Sequence, residues 1–113
     1  MHELSLALGI CDAVRAHLPE GARAVSVTVE CGPLAGVVPE ALEHCFGAVA
    51  ESEGLAGARL DLLVPGARAR CPACSAEFEV TSMWGSCPEC GHMPVTVVGG
   101  RDLTVKEIEV EDV

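Results

Sequence analysis

Two CxxC pairs dominate the second half of the chain: Cys71-Pro-Ala-Cys74 and, after twelve further residues, Cys87-Pro-Glu-Cys90, which Gly91 follows. Each pair can curl so that both thiolates point at one ion, and two pairs at this separation complete a tetrahedral site of four thiolates. Glycine suits the tight turn behind the second pair because it tolerates positive φ. No fifth ligand is evident, so the spacing predicts a closed, structural Zn²⁺ site.

The composition predicts a small soluble protein with a modest core. The chain has 113 residues and is 50% hydrophobic, yet it contains only two Phe, one Trp and no Tyr. A core built from Ala, Val and Leu is limited at this length, so a structural metal would help to hold the fold together. No apolar run approaches a membrane span and no basic leader is present, so we expect no membrane association and no secretion.

The other three cysteines, Cys11, Cys31 and Cys45, fall at apolar-periodic positions. There a free cysteine behaves as a small hydrophobe, with a redox role as the less favoured alternative. Four cysteines for metal and three in a core fit a reducing compartment better than a disulfide scaffold does. We therefore expect a cytoplasmic protein.

The net charge of −10 argues against nucleic-acid binding. Such binding depends on clustered Lys and Arg that neutralise phosphates, and only Arg68 and Arg70 come close together beside the cysteines. An acidic protein is better suited to metal ions or to basic protein surfaces.

Hydrophobic periodicity predicts two helices and three strands outside the cysteine stretch. Apolar residues recur every three or four positions from Leu4 to His17, and again after Pro39, which suits a first helical position, with Gly54 as the stop. Strict alternation predicts strands at Val25–Cys31 and Arg59–Val64.

The tail, Leu103 to Glu111, also alternates, but its apolar positions change from odd to even. A one-residue slip exchanges the two faces of a strand, which predicts a β-bulge near Lys106 and Glu107. The predicted fold is therefore α+β, a small three-stranded sheet with two helices.

The cysteine stretch is predicted to form a zinc-ribbon module inserted between the second and third strands. Its boundaries are Pro65-Gly66 and Gly99-Gly100, and its short strands are Glu77–Val80 and Pro94–Val98. We expect Trp84 to pack over this ribbon. The chain then divides into a discontinuous α/β domain at residues 1–66 and 101–113, and a zinc-ribbon domain at residues 67–100.

Met1-His2-Glu3 begins the sequence and runs almost directly into the first helix. A free α-amine, the amide nitrogen of a second-position His and its imidazole can close adjacent chelate rings around one ion. Three such nitrogens in a plane suit Ni(II) or Cu(II), with copper favoured by intrinsic affinity. On residues alone this motif is a weak signal, because a His at this position is more often simply exposed.

The sequence resembles the HypA/HybF family of nickel chaperones for nickel–iron hydrogenase maturation. The resemblance covers nearly the whole chain, in the right order and spacing. It is carried by Met1-His-Glu-Leu-Ser-Leu-Ala7, Gly32-Pro-Leu-Ala-Gly-Val37, Pro39-Glu40-Ala-Leu42, both cysteine pairs, Gly100-Arg-Asp-Leu103 and Val105-Lys-Glu-Ile-Glu-Val110.

This resemblance implies that His2 is the essential nickel ligand, with the Met1 amine and nearby backbone nitrogens completing a planar site and Glu3 supporting it. It also implies structural zinc on the four cysteines. One departure is that some relatives carry a carboxylate six residues beyond the glycine matching Gly32, where this chain has Val38. Glu40 and His92 are the alternative contributors.

The function expected from the resemblance is a metallochaperone without catalytic activity. It would carry Ni²⁺, exchange it with a nickel-handling maturation GTPase and deliver it to the hydrogenase large subunit, as a monomer or a homodimer. Two alternatives come from the cysteines: a zinc-ribbon protein-interaction module without nickel transfer, and a redox or rubredoxin-like iron protein. Neither a Ser/His/Asp grouping nor an open zinc site is evident.

Overall fold

The computed structural model describes residues 2–80 and 85–113, which form an α+β fold with two small sheets. Met1 and residues 81–84 lie outside this part, so the expected packing of Trp84 falls on residues that are not described. Within the described ranges, neither helix is both long and apolar enough to cross a membrane. The elements are α1 (His2–His17), β1 (Ala22–Cys31), α2 (Pro39–Val49), β2 (Arg59–Leu63), β3 (Ala67–Arg70), β4 (Glu77–Val80), β5 (Thr96–Gly99) and β6 (Leu103–Asp112).

The first sheet has the strand order β2-β1-β6 and carries both helices on one face. Strand β1 lies in the centre, parallel to β2 and antiparallel to β6. The core forms where the apolar stripes of the helices meet the inward residues of β1, as their periodicities predicted. Its buried members include Ala7, Ile10, Cys11, Val14, Val27, Val29, Leu42 and Phe46.

The helix boundaries differ from the sequence prediction at the start of α1 and at the end of α2. Helix α1 begins at His2, two residues before Leu4, and therefore includes His2 and Glu3 of the predicted metal-binding motif. Helix α2 starts with Pro39 as predicted but ends at Val49. The predicted stop, Gly54, lies in the turn that follows, with φ of 81°. There the amide of Leu55 donates to the carbonyl of Ala50, which turns the buried Leu55 side chain into the core.

Two β-bulges interrupt the pairing of β1 with β6. Lys106 is the extra residue on β6, because Thr28 pairs with Glu107 whereas Val29 pairs with Val105. This confirms the bulge predicted from the change of apolar parity. A second bulge at Val25 of β1 was not predicted, and Ala24 takes the core position in its place. The sequence hides this bulge because Val25 continues the apolar–polar alternation of Val27 and Val29, and the neighbouring Ala24 is small and apolar as well.

The second sheet has the order β4-β3-β5 and is antiparallel throughout. Strand β4 matches the predicted strand at Glu77–Val80, while β5 starts two residues later than the predicted Pro94–Val98. Central strand β3 was not predicted. Its sequence alternates Ala67 and Ala69, both buried, with Arg68 and Arg70, and alanine carries little strand propensity.

The loop after β1 is hydrogen-bonded to the segment that leads back into β6. The amide of Gly32 donates to the Asp102 carbonyl at 2.8 Å, and the amide of Leu34 donates to the Gly100 carbonyl at 2.7 Å. A Cβ on Gly32 would lie 2.2 Å from the Gly100 carbonyl oxygen. The returning chain therefore depends on glycine at position 32 for this close backbone approach.

Candidate metal centre

The four cysteines of the two CxxC pairs converge on one point. All four sulfur atoms lie within 4.8 Å of one another. The Sγ atoms of Cys71 and Cys90 are 3.6 Å apart, and those of Cys74 and Cys87 are 3.5 Å apart. A tetrahedral ion with metal–sulfur bonds of about 2.3 Å requires sulfur–sulfur separations of about 3.8 Å. The sulfur positions therefore fit a four-thiolate metal site.

The two pairs form turns with the same hydrogen bonds. The amide of Ser75 donates to the Cys71 carbonyl at 2.9 Å, and the amide of Gly91 donates to the Cys87 carbonyl at 2.8 Å. Behind each turn the first cysteine donates its own amide to a carbonyl five residues on, that of Ala76 or His92. Ser75 and Gly91 both have positive φ, 65° and 77°. In the first pair, Ser75 therefore occupies the position that corresponds to Gly91 in the second pair, where glycine was expected for its tolerance of positive φ.

Backbone amides point at the first sulfur of each pair. The amides of Ala73 and Cys74 lie 3.3 and 3.4 Å from Cys71 Sγ, and the amide of Glu89 lies 3.4 Å from Cys87 Sγ. Desolvation alone would raise the pKa of the Cys71 thiol, but these amides and the neighbouring thiols lower the pKa to about 7. The turn therefore favours the thiolate, which is the form that binds metal.

The second sulfur of the first pair shows why a cation suits this cluster. The Ala76 amide favours its thiolate, but the adjoining Cys87 thiol, desolvation and the other two thiols raise the pKa of Cys74 to about 12. Thiolates packed this closely repel one another, whereas a divalent cation at their centre would stabilise all of them. The chemistry of the donor set therefore fits a metal ion.

The positive φ of Gly91 leads to a test of the turn. We expect Gly91→Ala to lower the Zn²⁺ affinity about 5- to 30-fold, because a Cβ at this φ costs about 1–2 kcal/mol. Apart from its chain neighbours, no atom of residues 2–80 and 85–113 lies within 4 Å of the position that the new Cβ would take, so the substitution tests backbone strain. Competition with a chromogenic chelator measures the change. Ser75→Gly is the matched control and should raise the affinity, and unchanged affinity in both variants would contradict this account.

At the other end of the chain, His2 is exposed in the first turn of α1, and Glu3 is half-buried beside it. The amide of Val38 donates to Glu3 Oε2 at 3.3 Å, and this hydrogen bond is the main reason that the pKa of Glu3 is lowered. Val38 itself is 55% exposed. The position at which this chain departs from the family pattern therefore lies against the amino-terminal motif, although its side chain cannot bind a metal. Met1 is not among the described residues.

The remaining candidate ligands stay apart from the cysteine cluster. His92 is exposed, and it is its backbone that takes part in the turn: the carbonyl accepts from the Cys87 amide, and the His92 amide bonds to the Cys90 thiol. Glu40 is exposed in the first turn of α2. His17 donates its Nδ1 hydrogen to the Ala13 carbonyl, and His44 is exposed on α2. Across residues 2–80 and 85–113, the four cysteines are the only group of three or more such ligands close enough to share an ion.

Sequence reasoning missed two contributors to these sites. The Glu3–Val38 contact joins residues far apart in the sequence, and no local sequence pattern predicts it. The strained Ser75 was detectable, because it follows CPAC where Gly91 follows CPEC. The three cysteines outside the cluster behave as predicted: Cys11 and Cys31 are buried, and Cys45 packs partly buried against the core.

Comparison with known proteins agrees with the resemblance seen in the residues. A family model described as "Hydrogenase/urease nickel incorporation, metallochaperone, hypA" matches residues 1–110. The hydrogenase maturation factor HypA of Chlorobaculum tepidum is 40% identical over 113 residues, covering 98% of this chain and all of the relative. That of Geobacter metallireducens is 43% identical over 112 residues, with the same coverage of both chains.

Solved structures agree at the level of the fold. The solution structure of the Ni metallochaperone HypA from Helicobacter pylori matches with a TM-score of 0.62 at 19% identity, covering 95% of each chain. At that identity the match supports the α+β architecture, while the sequence comparisons supply the family. The chain is therefore a member of the HypA family.

Proposed function

We propose that this protein binds Ni²⁺ at its amino terminus and delivers the ion during the maturation of nickel–iron hydrogenase. The observation that carries the proposal is an exposed His2 at the start of α1 in a chain whose family is described by nickel incorporation. Nickel is the cargo, and His2 is its essential side-chain ligand. The protein is proposed to act as a carrier without catalysing a reaction.

Helix geometry supports coordination by backbone nitrogens at this end. The first amide groups of a helix have no hydrogen-bond partner within the helix, so those of His2 and Glu3 are not committed to α1. Together with the His2 imidazole and the Met1 amine, they supply four nitrogens for a planar site, a geometry that suits Ni(II). The Glu3 carboxylate accepts a hydrogen bond from the Val38 amide, which fixes the start of α1 against the loop between β1 and α2, and Glu3 is assigned a positioning role.

An open site suits delivery. His2 is exposed, and Val38 offers no side-chain ligand, so the protein encloses the ion incompletely. A partner can then approach the metal and replace ligands one at a time. We propose a nickel-handling maturation GTPase and the hydrogenase large subunit as the exchange partners, in keeping with relatives named hydrogenase maturation factors. The family description also mentions urease, and which enzyme is served does not alter the ligand set.

The four-cysteine cluster is proposed to hold structural Zn²⁺ and to organise residues 67–100 as a separate domain, with residues 1–66 and 101–113 forming the nickel-binding domain. The donor set of four thiolates is one that both zinc and iron accept, so the metal identity is tested separately by absorbance, since iron would colour the protein. The expected cytoplasmic location remains a prediction.

The nickel proposal is tested by altering the amino terminus. We expect His2→Ala, and separately acetylation of the Met1 α-amine, to weaken Ni²⁺ binding roughly 100-fold or more, because each removes a nitrogen ligand. Isothermal titration of untagged, zinc-loaded protein measures this. His44→Ala, which removes an exposed helical imidazole, should bind Ni²⁺ as the natural chain does.

Zinc content and circular dichroism should be unchanged in all three proteins. The acetylated protein separates the two parts of the site, because it retains His2 but removes the amine as a ligand. Unchanged nickel affinity in both altered proteins would overturn the terminal site and leave the interaction-module alternative. A loss of nickel affinity in His44→Ala would show that the imidazole of His44 takes part in binding, which would contradict the assignment of His2 as the essential histidine ligand.

A further inference from the structure

Strand β6 lies at an edge of the first sheet. In the order β2-β1-β6, its outer side has no neighbouring strand within the described chain. It spans ten residues, whereas β2 at the other edge spans five. An edge strand presents a row of unpaired N–H and C=O groups, to which an extended segment of another chain can pair. The length of β6 makes it the better template of the two edges.

An apolar groove runs beside this edge, between α1 and β6. It consists of two adjoining depressions of about 250 and 390 Å³ that share Ala13 and Val105. In the described part of the chain, no atom beyond the backbone of α1 itself lies within 4 Å of the place where a Cβ on Gly9 would project. Further apolar lining comes from Leu6, Ile10, Leu103 and Ile108, and the smaller depression is also lined by His17, Lys106 and Glu107 around the bulge. Because side chains alternate along a strand, every second residue of a segment added to β6 would point into this groove.

The opposite face of β6 is acidic. Glu107, Glu109 and Glu111 are exposed there, paired across the sheet with Thr28, Ser26 and Arg23. Glu111 forms an ion pair with Arg23, but among the described residues none pairs with Glu107 or Glu109. The whole chain carries a charge of −10, which adds to the attraction for a basic partner. The other alternate residues of an added segment would face these glutamates.

We propose that β6 binds an extended segment of a partner protein in which basic residues alternate with apolar ones. Its backbone would continue the sheet, its apolar side chains would fill the groove beneath α1, and its basic side chains would pair with Glu107 and Glu109. Opposite charges on neighbouring strands stabilise pairing, while like charges destabilise it. A second copy of β6 would place glutamates beside glutamates, so the occupant is a different sequence. This surface does not depend on nickel binding.

A synthetic peptide in which arginine alternates with valine tests the proposal on the intact, zinc-loaded protein. We expect saturable binding and slower amide exchange in β6, since outward amides of the edge become hydrogen-bonded. Glu107→Lys combined with Glu109→Lys should weaken binding at least about tenfold. Glu43→Lys combined with Glu51→Lys makes the same change of net charge at exposed sites around α2 and should weaken it less than about threefold.

Gly9→Leu provides a second variant, which fills the groove while leaving the glutamates in place. It should also weaken the peptide complex, and circular dichroism checks that the fold is kept. The proposal is overturned if a peptide of the same composition with its arginines and valines in separate blocks binds equally well. It is also overturned if both charge variants lose affinity equally, if protection appears at β2 instead, or if β6 gains protection with protein concentration alone.

Discussion

Cys74→Ala is expected to abolish stoichiometric zinc binding and to unfold β3, β4 and β5, while α1, β1 and β6 remain ordered. The reason is the small core of this part of the chain. Among its described residues, 67–80 and 85–100, the buried ones are Ala67, Ala69, Cys71 and Cys87, and none of these carries a large apolar side chain. Structural zinc supplies about 10–16 kcal/mol of apparent binding free energy in small zinc domains. Removing one thiolate leaves that segment with too little burial to offset the entropy of ordering it.

Zinc content by mass spectrometry and amide exchange by NMR measure this outcome. Exchange should become fast in the second sheet and stay slow in β1. Cys45→Ala is the matched control: it also removes a thiol, but from the edge of the helical core, and should keep a full equivalent of zinc. A full equivalent of zinc in Cys74→Ala would reject the four-cysteine assignment. Collapse of β1 together with the second sheet would reject the division at residues 67–100.

Gly32→Ala is expected to destabilise the protein by about 3 kcal/mol or more, among the largest effects of a single added methyl group. The new Cβ would lie 2.2 Å from the Gly100 carbonyl oxygen and 2.9 Å from the Arg101 nitrogen. Both are backbone atoms, so no side chain can rotate to relieve the overlap. The chain must move apart, which breaks the hydrogen bonds from Gly32 to Asp102 and from Leu34 to Gly100.

Urea unfolding of the first sheet, followed by circular dichroism with zinc held saturating, measures this loss. Gly47→Ala is the control, because it adds the same methyl group to the interior of α2, where no described atom outside that helix lies within 4 Å. It should be neutral or stabilise the protein by about 0.5–1 kcal/mol through helix propensity. Equal stabilities of Gly32→Ala and the natural chain would show that the loop after β1 and the return into β6 are not packed as described.

The sequence allowed the fold class to be predicted because its main signals are local and regular. The CxxC spacing, the alternation in β1 and the change of parity in β6 each follow from the geometry of one element. Strand β3 was not predicted because Ala67–Arg70 lacks β-branched residues. It forms a strand only by pairing with β4 and β5. The bulge at Val25 was not predicted because the pairing with β6, and not the residue itself, decides which residue of β1 is left unpaired.

The four-cysteine cluster and the proposed amino-terminal site show the same division between local and long-range information. The four-cysteine cluster forms from two turns whose spacing is visible in the chain, so its members could be named in advance. The surroundings of Glu3 could not be, because the Val38 amide reaches it through the tertiary packing of α2 against α1. Likewise, the groove beside β6 forms because α1 packs near that strand without covering it fully. Hydrophobic periodicity in the sequence does not predict such a gap between two elements.

The bulges at Val25 and Lys106 mark where this sheet can change length during evolution. One extra residue on β1 is offset by one on β6, so the two strands have the same register at both ends. On either side of each bulge the partners are consecutive residues, so losing the extra residue alone would leave every other side chain on its own face. A one-residue deletion elsewhere in β1 or β6 would exchange the faces of the rest of that strand. Single-residue gaps between homologues are therefore expected at these two positions.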